Sequence, residues 1–300
     1  TKIRANAFKH KAMSYGRMQT AEPALAAEVV RWLAEATASD VREDAAYGAD
    51  RRGDELPEWV TNKQHRLEKI RAAKAALEAE AQANALGQKR TADLPSDRPR
   101  RGRPAKKPPG TPHHRAQRNF TDPDSRIMKT QDGFIQGYNA QAAVDAEHQV
   151  IVAQELTNQA SDAHQLEPML AAIKANTGRQ ARELSADAGY CFEHNLTALN
   201  RHHVRGYVAT GRQKHGAASA VGMRRTVPRT RVHAMAIRLN RAGYRSRYRL
   251  RKQVVEPVFG QIKQARGFRQ FLLRGLSQVA GEWSLLCSVH NMLKLAGARG

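Results

Sequence analysis

Apolar positions along the chain change period near residue 119. Before it they keep helical spacing. Leu25, Val29, Trp32, Leu33 and Ala36 share one face, and Leu67, Ile70, Ala73 and Leu77 share another. These stripes predict two helices forming a hairpin. Thr20 is placed to cap the first, Gly48 to close it, and Gly87 to end the second, which is expected from about Asn62 to Leu86. Gly53 and Pro57 lie in the turn between them. The opening run, Thr1-Lys2-Ile3-Arg4-Ala5-Asn6-Ala7, alternates as a strand does.

After Asn119 the pattern is that of strands. Gly137 to Val144 and Val150 to Leu156 flank the turn Asp145-Ala146-Glu147-His148, which predicts a β-hairpin. A helix is expected from about His164 to Asn176, stopped by Gly178. A strand over Arg182–Asp187, a helix over Glu193–His203 and a strand over Gly206–Ala209 follow, and the C-terminus is helical. Trp283, Leu285, Leu286, Val289, Met292, Leu293 and Leu295 crowd the last helix and read as core. With one further strand at the start, the order becomes β-β-β-α-β-α-β-α, that of the ribonuclease H-like fold.

Charge narrows the partners. The 300 residues hold 50 Lys and Arg against 28 Asp and Glu, a net charge of +22, and a compact chain so charged repels itself unless a polyanion neutralises it. No apolar run reaches the roughly 18 residues of a spanning helix. Nucleic acid is the first candidate partner and an anionic membrane surface the second, and the chain is expected to be soluble and intracellular. Cys191 and Cys287 have neither metal-ligand nor disulfide-framework spacing and read as packed thiols.

Two basic stretches stand out. Residues 97–118 carry five prolines, eight Lys or Arg and no acid after Asp97, the composition of an extended linker. Within it, Arg100-Arg101-Gly102-Arg103-Pro104 is similar to the core of an AT-hook. In such a motif Arg101 and Arg103 would follow a narrow A·T minor groove. A generic basic linker is the alternative. The second stretch, between His194 and Val255, holds fifteen Lys or Arg and no acid, a phosphate-binding composition that ends at Glu256.

Glu256 is thus a lone carboxylate after a long basic run, either a metal ligand or the partner of a nearby Arg. Asp187 follows a hydrophobic strand and precedes Ala188-Gly189-Tyr190, at the strand end where open α/β sheets place ligands; capping the next turn is the alternative. Two carboxylates from a strand end and a helix suit Mg²⁺, with Mn²⁺ as a substitute, and a pair of such ions can activate an attacking oxygen and stabilise a leaving one. Asp145 lies at a hairpin tip, where Asp is common for local reasons. His113-His114 and His202-His203 lack zinc-finger spacing and read as solvent- or DNA-facing.

Four segments occur in order: Phe120-Thr121-Asp122-Pro123-Asp124-Ser125-Arg126-Ile127-Met128-Lys129, Gly137-Tyr138-Asn139-Ala140-Gln141, Ala186-Asp187-Ala188-Gly189-Tyr190 and Val255-Glu256-Pro257-Val258-Phe259-Gly260-Gln261-Ile262-Lys263. Together with Lys9-His10-Lys11-Ala12-Met13-Ser14-Tyr15, they resemble successive signatures of bacterial insertion-sequence DDE transposases. The resemblance implies a metal-dependent enzyme that cuts and joins double-stranded DNA at the ends of a mobile element, acting as a homo-oligomer in the bacterial cytoplasm, associated with the nucleoid. It makes Asp187 and Glu256 the second and third catalytic acids and metal ligands of a two-metal site. Lys263, seven positions after Glu256, fits the family's Tyr-Arg-Glu-Lys signature. Tyr248 and Arg251 sit one residue further from Glu256 than the common spacing, as DNA-contacting or orienting residues.

The first acid of this family precedes a segment like Thr1–Ala7, so it is expected a residue or two upstream of Thr1, and the fragment is expected to be inactive. The implied organisation is a remnant of the first catalytic strand (1–9), a helical insertion between the first and second strands (10–96), the basic Pro-rich linker (97–118) and an α/β ribonuclease H-like catalytic domain with a helical C-terminus (119–300). Two rivals are a non-catalytic DNA-binding remnant of a decayed element and a nuclease of the same fold that cuts without joining.

Overall fold

The computed structural model describes residues 1–47, 58–92, 108, 110–130, 132–211, 229–242 and 251–298, with the backbone alone at 39–47, 58–59, 88–92, 240–242 and 251–252. These form two compact units, Phe8–Pro123 and Thr1–Ala7 with Asp124–Gly300.

The Phe8–Pro123 unit is a helical hairpin on a two-stranded ribbon. Strands β2 (Ala12–Ser14) and β3 (Gln117–Asn119) pair antiparallel, Ala12 opposite Asn119. Helix α1 (Tyr15–Tyr47) leaves β2 directly, and α2 is Glu58–Ala92. They run antiparallel: Tyr15 donates to Glu78 (2.7 Å), Lys74 to Glu22 (2.7 Å), and Lys63 pairs with Glu28. Tyr15, Met18, Ile70, Ala73 and Leu77 form their buried seam.

Both helices exceed the expected spans. Thr20 is no cap; its hydroxyl donates to the Arg17 carbonyl inside α1 (3.1 Å). Gly87 lies within α2, because one interior glycine costs only about 1 kcal/mol relative to Ala. Gly48, Gly53 and Pro57 lie outside the described residues. So do 97–107 of the basic linker, Arg101 and Arg103 included; the linker's last two residues belong to β3.

In the second unit the long strand β5 (Gly133–Val144) organises a mixed α/β structure. It pairs antiparallel with β1 (Lys2–Arg4), β4 (Arg126–Thr130) and β6 (Ile151–Thr157). Gly137 faces Arg126 on one edge and Arg4 on the other, and Asn139 faces Thr157 and Lys2. β4 and β6 therefore share one edge of β5, and β1 takes the opposite one. A Cβ on Gly137 would lie 2.3 Å from the Ile3 carbonyl oxygen, so only glycine admits β1 at that distance. The expected hairpin forms with its turn at 146–148. Asp145 there accepts the N–H groups of Glu147 (3.0 Å) and His148 (2.8 Å), the local turn role.

Helix α3 (Leu166–Thr177) ends at Gly178, whose φ of 67° is the left-handed stop that its residue type foretells. Strand β7 (Glu183–Ala186), helix α4 (Glu193–Arg201) and strand β8 (Arg205–Val208) make a β-α-β unit whose strands pair in parallel, Ala186 opposite Val208. Leu166, Leu170, Leu196, Leu199, Val208 and Met235 pack beside this pair. Helix α5 (Arg231–Ala242) is capped from α4, where the Glu193 carboxylate accepts the Arg231 and Val232 N–H groups (both 3.0 Å).

Helix α6 (Arg251–Gly260) runs into a π-helical turn, Gln261–Ala265, and α7 (Leu276–Gly297) closes the chain. Asp124 caps α7 by accepting the Leu276 N–H (3.0 Å). Ile3, Tyr138, Val258, Ile262, Phe271 and Trp283 are the centre of the main core. The expected α7 core needs correction. Trp283 is fully buried and Leu286 packs partly against the core, but Leu285, Val289, Met292, Leu293 and Leu295 are exposed. A 22-residue helix docked on one sheet buries one stripe, and the other apolar side chains lie off it. Among the described residues no helix is long and apolar enough to cross a membrane.

Candidate active site

The carboxyl end of β7 carries Asp187. Its extended backbone caps a 3₁₀ turn, Ala188–Tyr190, and its Oδ1 accepts the Gly189 N–H (3.0 Å). Capping and exposure coexist here, since the side chain is solvent-accessible while one oxygen anchors the turn. The turn is tied down twice more. Tyr190 donates its N–H to the Asp187 carbonyl (3.2 Å), and its hydroxyl bonds the Gln141 side-chain oxygen on β5. Buried Asn195 of α4 donates to the carbonyls of Tyr190 (3.0 Å) and Ala163 (2.8 Å).

The loop holding Ala163 brings in a residue that the sequence reading passed over. Asp162, half-buried between β6 and α3, accepts on Oδ1 from Asn139 Nδ2 (2.6 Å), Gln141 Nε2 (2.8 Å) and Lys2 Nζ (3.4 Å). Burial opposes its ionisation, but the Asn139 bond, the Lys2 charge and the Gln141 bond outweigh that and hold its carboxyl below the usual range. Its Oδ2 faces Gly189. A Cβ built there would stand 2.8 Å from Asp162 Oδ2 and 3.1 Å from Asp187 Oδ1, so those oxygens are no further apart than the sum of the two distances. Both carboxylates act on the Tyr190 phenol, which burial first and these charges next push above its ordinary pKa; it remains a protonated donor.

Lys263 sits in the π-turn, a helical irregularity frequent at functional positions. Its ammonium reaches back to β1, donating to Thr1 Oγ1 (2.5 Å) and the Lys2 carbonyl (3.1 Å), and burial lowers its pKa. Lys2 bonds Asp162 in turn, so Lys263 joins the Asp162–Asp187 cluster through β1. Glu256 is exposed on α6, with the Pro257 ring beside it. It does not complete a three-acid group with Asp162 and Asp187, for among the described residues no three or more His, Cys, Asp or Glu side chains come together as a cation site. Tyr248 lies outside the described residues, and of Arg251 only the backbone, at the start of α6, is described.

The donors suit a hard divalent cation, which takes oxygen ligands. Asp187 offers an exposed carboxylate and Asp162 its Oδ2. Buried Asn139 Oδ1 has no hydrogen-bond partner among the described residues. In the first histidine pair, His113 accepts the Arg115 N–H (3.1 Å) and its ring lies tilted against that of His114, centroids 4.3 Å apart. Cys191 and Cys287 are free thiols, Cys287 buried and pushed up to about 12.

This unit is therefore a mixed α/β domain with paired acids at the end of a parallel strand, in a strongly basic chain. The model of the family described as Transposase DDE domain matches residues 109–292, more than half of the chain, and the chain belongs to that family. No curated protein and no solved structure matches it.

Proposed function

We propose that the chain is a DNA transposase domain of ribonuclease H-like fold that cleaves strands at the ends of a mobile element and joins them to a target. The observation carrying this reading is Asp187, exposed at the carboxyl end of β7 inside the segment that matches the transposase family. Asp187 and Glu256 would hold Mg²⁺, for which Mn²⁺ would substitute, and the ions would supply activation of a water or 3′-OH and stabilisation of the leaving oxygen. The attacking hydroxyl loses its proton as it forms the new P–O bond. The old P–O bond breaks, and its electron pair stays on the leaving 3′ oxygen.

Lys263 fixes the β1 backbone next to the acids. Tyr248, Arg251 and Lys263 would handle DNA near the site, and Arg101 and Arg103 would add minor-groove contacts. Residues 1–9 belong to the first catalytic strand, 10–96 to an insertion, 97–118 to a linker and 119–300 to the catalytic domain. The chain acts as a homo-oligomer on the element's DNA ends, in the bacterial cytoplasm at the nucleoid.

A second reading has its own support. With no three-acid group among the described residues, the chain would be a DNA-binding remnant that does not cut. Labelled DNA from the ends of the chain's own element, incubated with Mg²⁺, separates the readings. Transposition predicts nicks at the element boundary and joined products, lost in Asp187→Asn and Glu256→Gln while end binding persists. Nicks without joining indicate a nuclease. Binding without nicks in either Mg²⁺ or Mn²⁺ overturns the catalytic reading in favour of the remnant.

A further inference from the structure

We propose that Asp162 is a positioning residue of this site: it holds the Asp187 turn through Gln141 and Tyr190 and places a second negative charge beside Asp187. The inference rests on the reading of Asp187 as a cation ligand.

The connection runs atom by atom. Asp162 Oδ1 fixes the Gln141 amide by accepting from Nε2 (2.8 Å), which leaves Gln141 Oε1 to receive the Tyr190 hydroxyl. An amide has one donor end and one acceptor end, so the carboxylate at one end dictates which end faces Tyr190. Tyr190 closes the 3₁₀ turn that Asp187 opens, and their backbones are bonded at 3.2 Å. A displacement of Asp162 therefore reaches Asp187 through two side chains and one turn. Asn195 holds the backbone of the same two segments, bridging Ala163 and Tyr190. Asp162 also accepts from Asn139 and Lys2, so it joins β5 to β1, the strand that Lys263 grips.

The electrostatic part follows from Gly189. With no side chain there, Asp162 Oδ2 and Asp187 Oδ1 converge on one point. Two carboxylates so close favour a bound cation, which relieves their repulsion. Lys2 neutralises Asp162 only partly, from 3.4 Å on the other oxygen.

The test is a Mn²⁺ titration of the whole chain, read by water-proton relaxation and paired with thermal melts. Asp162→Asn keeps the shape, removes the charge and presents a donor to amides that already donate. Tyr190→Phe keeps the charge and cuts only the link to Gln141. The expected result is a Mn²⁺ dissociation constant raised about tenfold or more in Asp162→Asn, the range for outer partners of metal ligands. Tyr190→Phe should give a smaller rise, with a melt lowered by a few degrees because the buried Gln141 Oε1 loses its donor. If Asp162→Asn does not fold, Tyr190→Phe carries the test. Wild-type Mn²⁺ affinity in the folded variants overturns the proposal, even if they melt lower, because a merely structural residue would move only the melt. Separately, Asp187→Asn must lose Mn²⁺ binding; if it does not, the cation-site reading itself fails.

Discussion

Replacing Gly189 by Ala adds one methyl group where the two carboxylates converge. The new carbon would stand 2.8 Å from Asp162 Oδ2, 3.1 Å from Asp187 Oδ1 and 3.4 Å from Asp162 Cβ. Asp162 cannot swing aside freely, since Asn139, Gln141 and Lys2 hold it at 2.6, 2.8 and 3.4 Å. Something must give by about half an ångström, and overpacking of that size costs about 1–3 kcal/mol. Ala also narrows the unfolded ensemble, which offsets about 0.4–1 kcal/mol. The balance is a destabilisation of about 0.5–2 kcal/mol, or a melting temperature lower by about 2–6 °C in a domain of this size. Gly281→Ala in α7 is the control. A Cβ there meets nothing within 4 Å, so this helical substitution should stabilise by up to about 1 kcal/mol. The assay is a pair of melts with a Mn²⁺ titration, in which Gly189→Ala should also bind the ion more weakly. Gly189→Ala melting at or above the wild type with unchanged Mn²⁺ affinity would refute the convergence of the two acids.

Other consequences can be measured independently. Trp283 is fully buried, stacks on Phe259 and donates to the Gln141 carbonyl (3.1 Å), so Trp283→Ala should cost about 3–5 kcal/mol in a denaturant melt. Burial raises the pKa of Glu155 on β6, so its favourable contribution holds below the unfolded carboxyl pKa of about 4.3 and is lost as pH rises through the folded value. Glu155→Gln should therefore melt higher than the wild type at pH 7 to 8, with the gap closing below pH about 4; an equal gap at both ends would contradict this. Arg101→Ala and Arg103→Ala should each weaken duplex binding and lower the slope of log affinity against log salt by about 1.

Much of the second unit was legible because local signals and tertiary structure agree there. The alternation over Gly137–Leu156 became the β5–β6 hairpin, Gly178 stopped α3, and Asp187 stands where a hydrophobic strand gives way to a glycine turn. Asp162 was not legible. Before a helix, Ser161-Asp162 reads as ordinary loop or cap chemistry, and its partners Asn139 and Gln141 lie more than twenty residues away on β5. The one available signal was the amide pair itself, two large polar side chains on one face of a strand otherwise rich in small apolar residues. Helix limits were misread because Thr20 and Gly87 carry cap chemistry without a chain end to cap. The exposed side of α7 was misread because apolar content does not say which face is covered.

The most direct test of the central claim, that Asp187 and Glu256 serve one cation-dependent centre, maps the ion on the chain. Iron(II) in place of magnesium, with ascorbate and peroxide, cuts the polypeptide wherever the ion binds. Cuts near residue 187 and near residue 256 that excess Mg²⁺ suppresses are the predicted result. Cuts confined to other segments, or cuts near 187 and 256 that persist in Asp187→Asn, would contradict it.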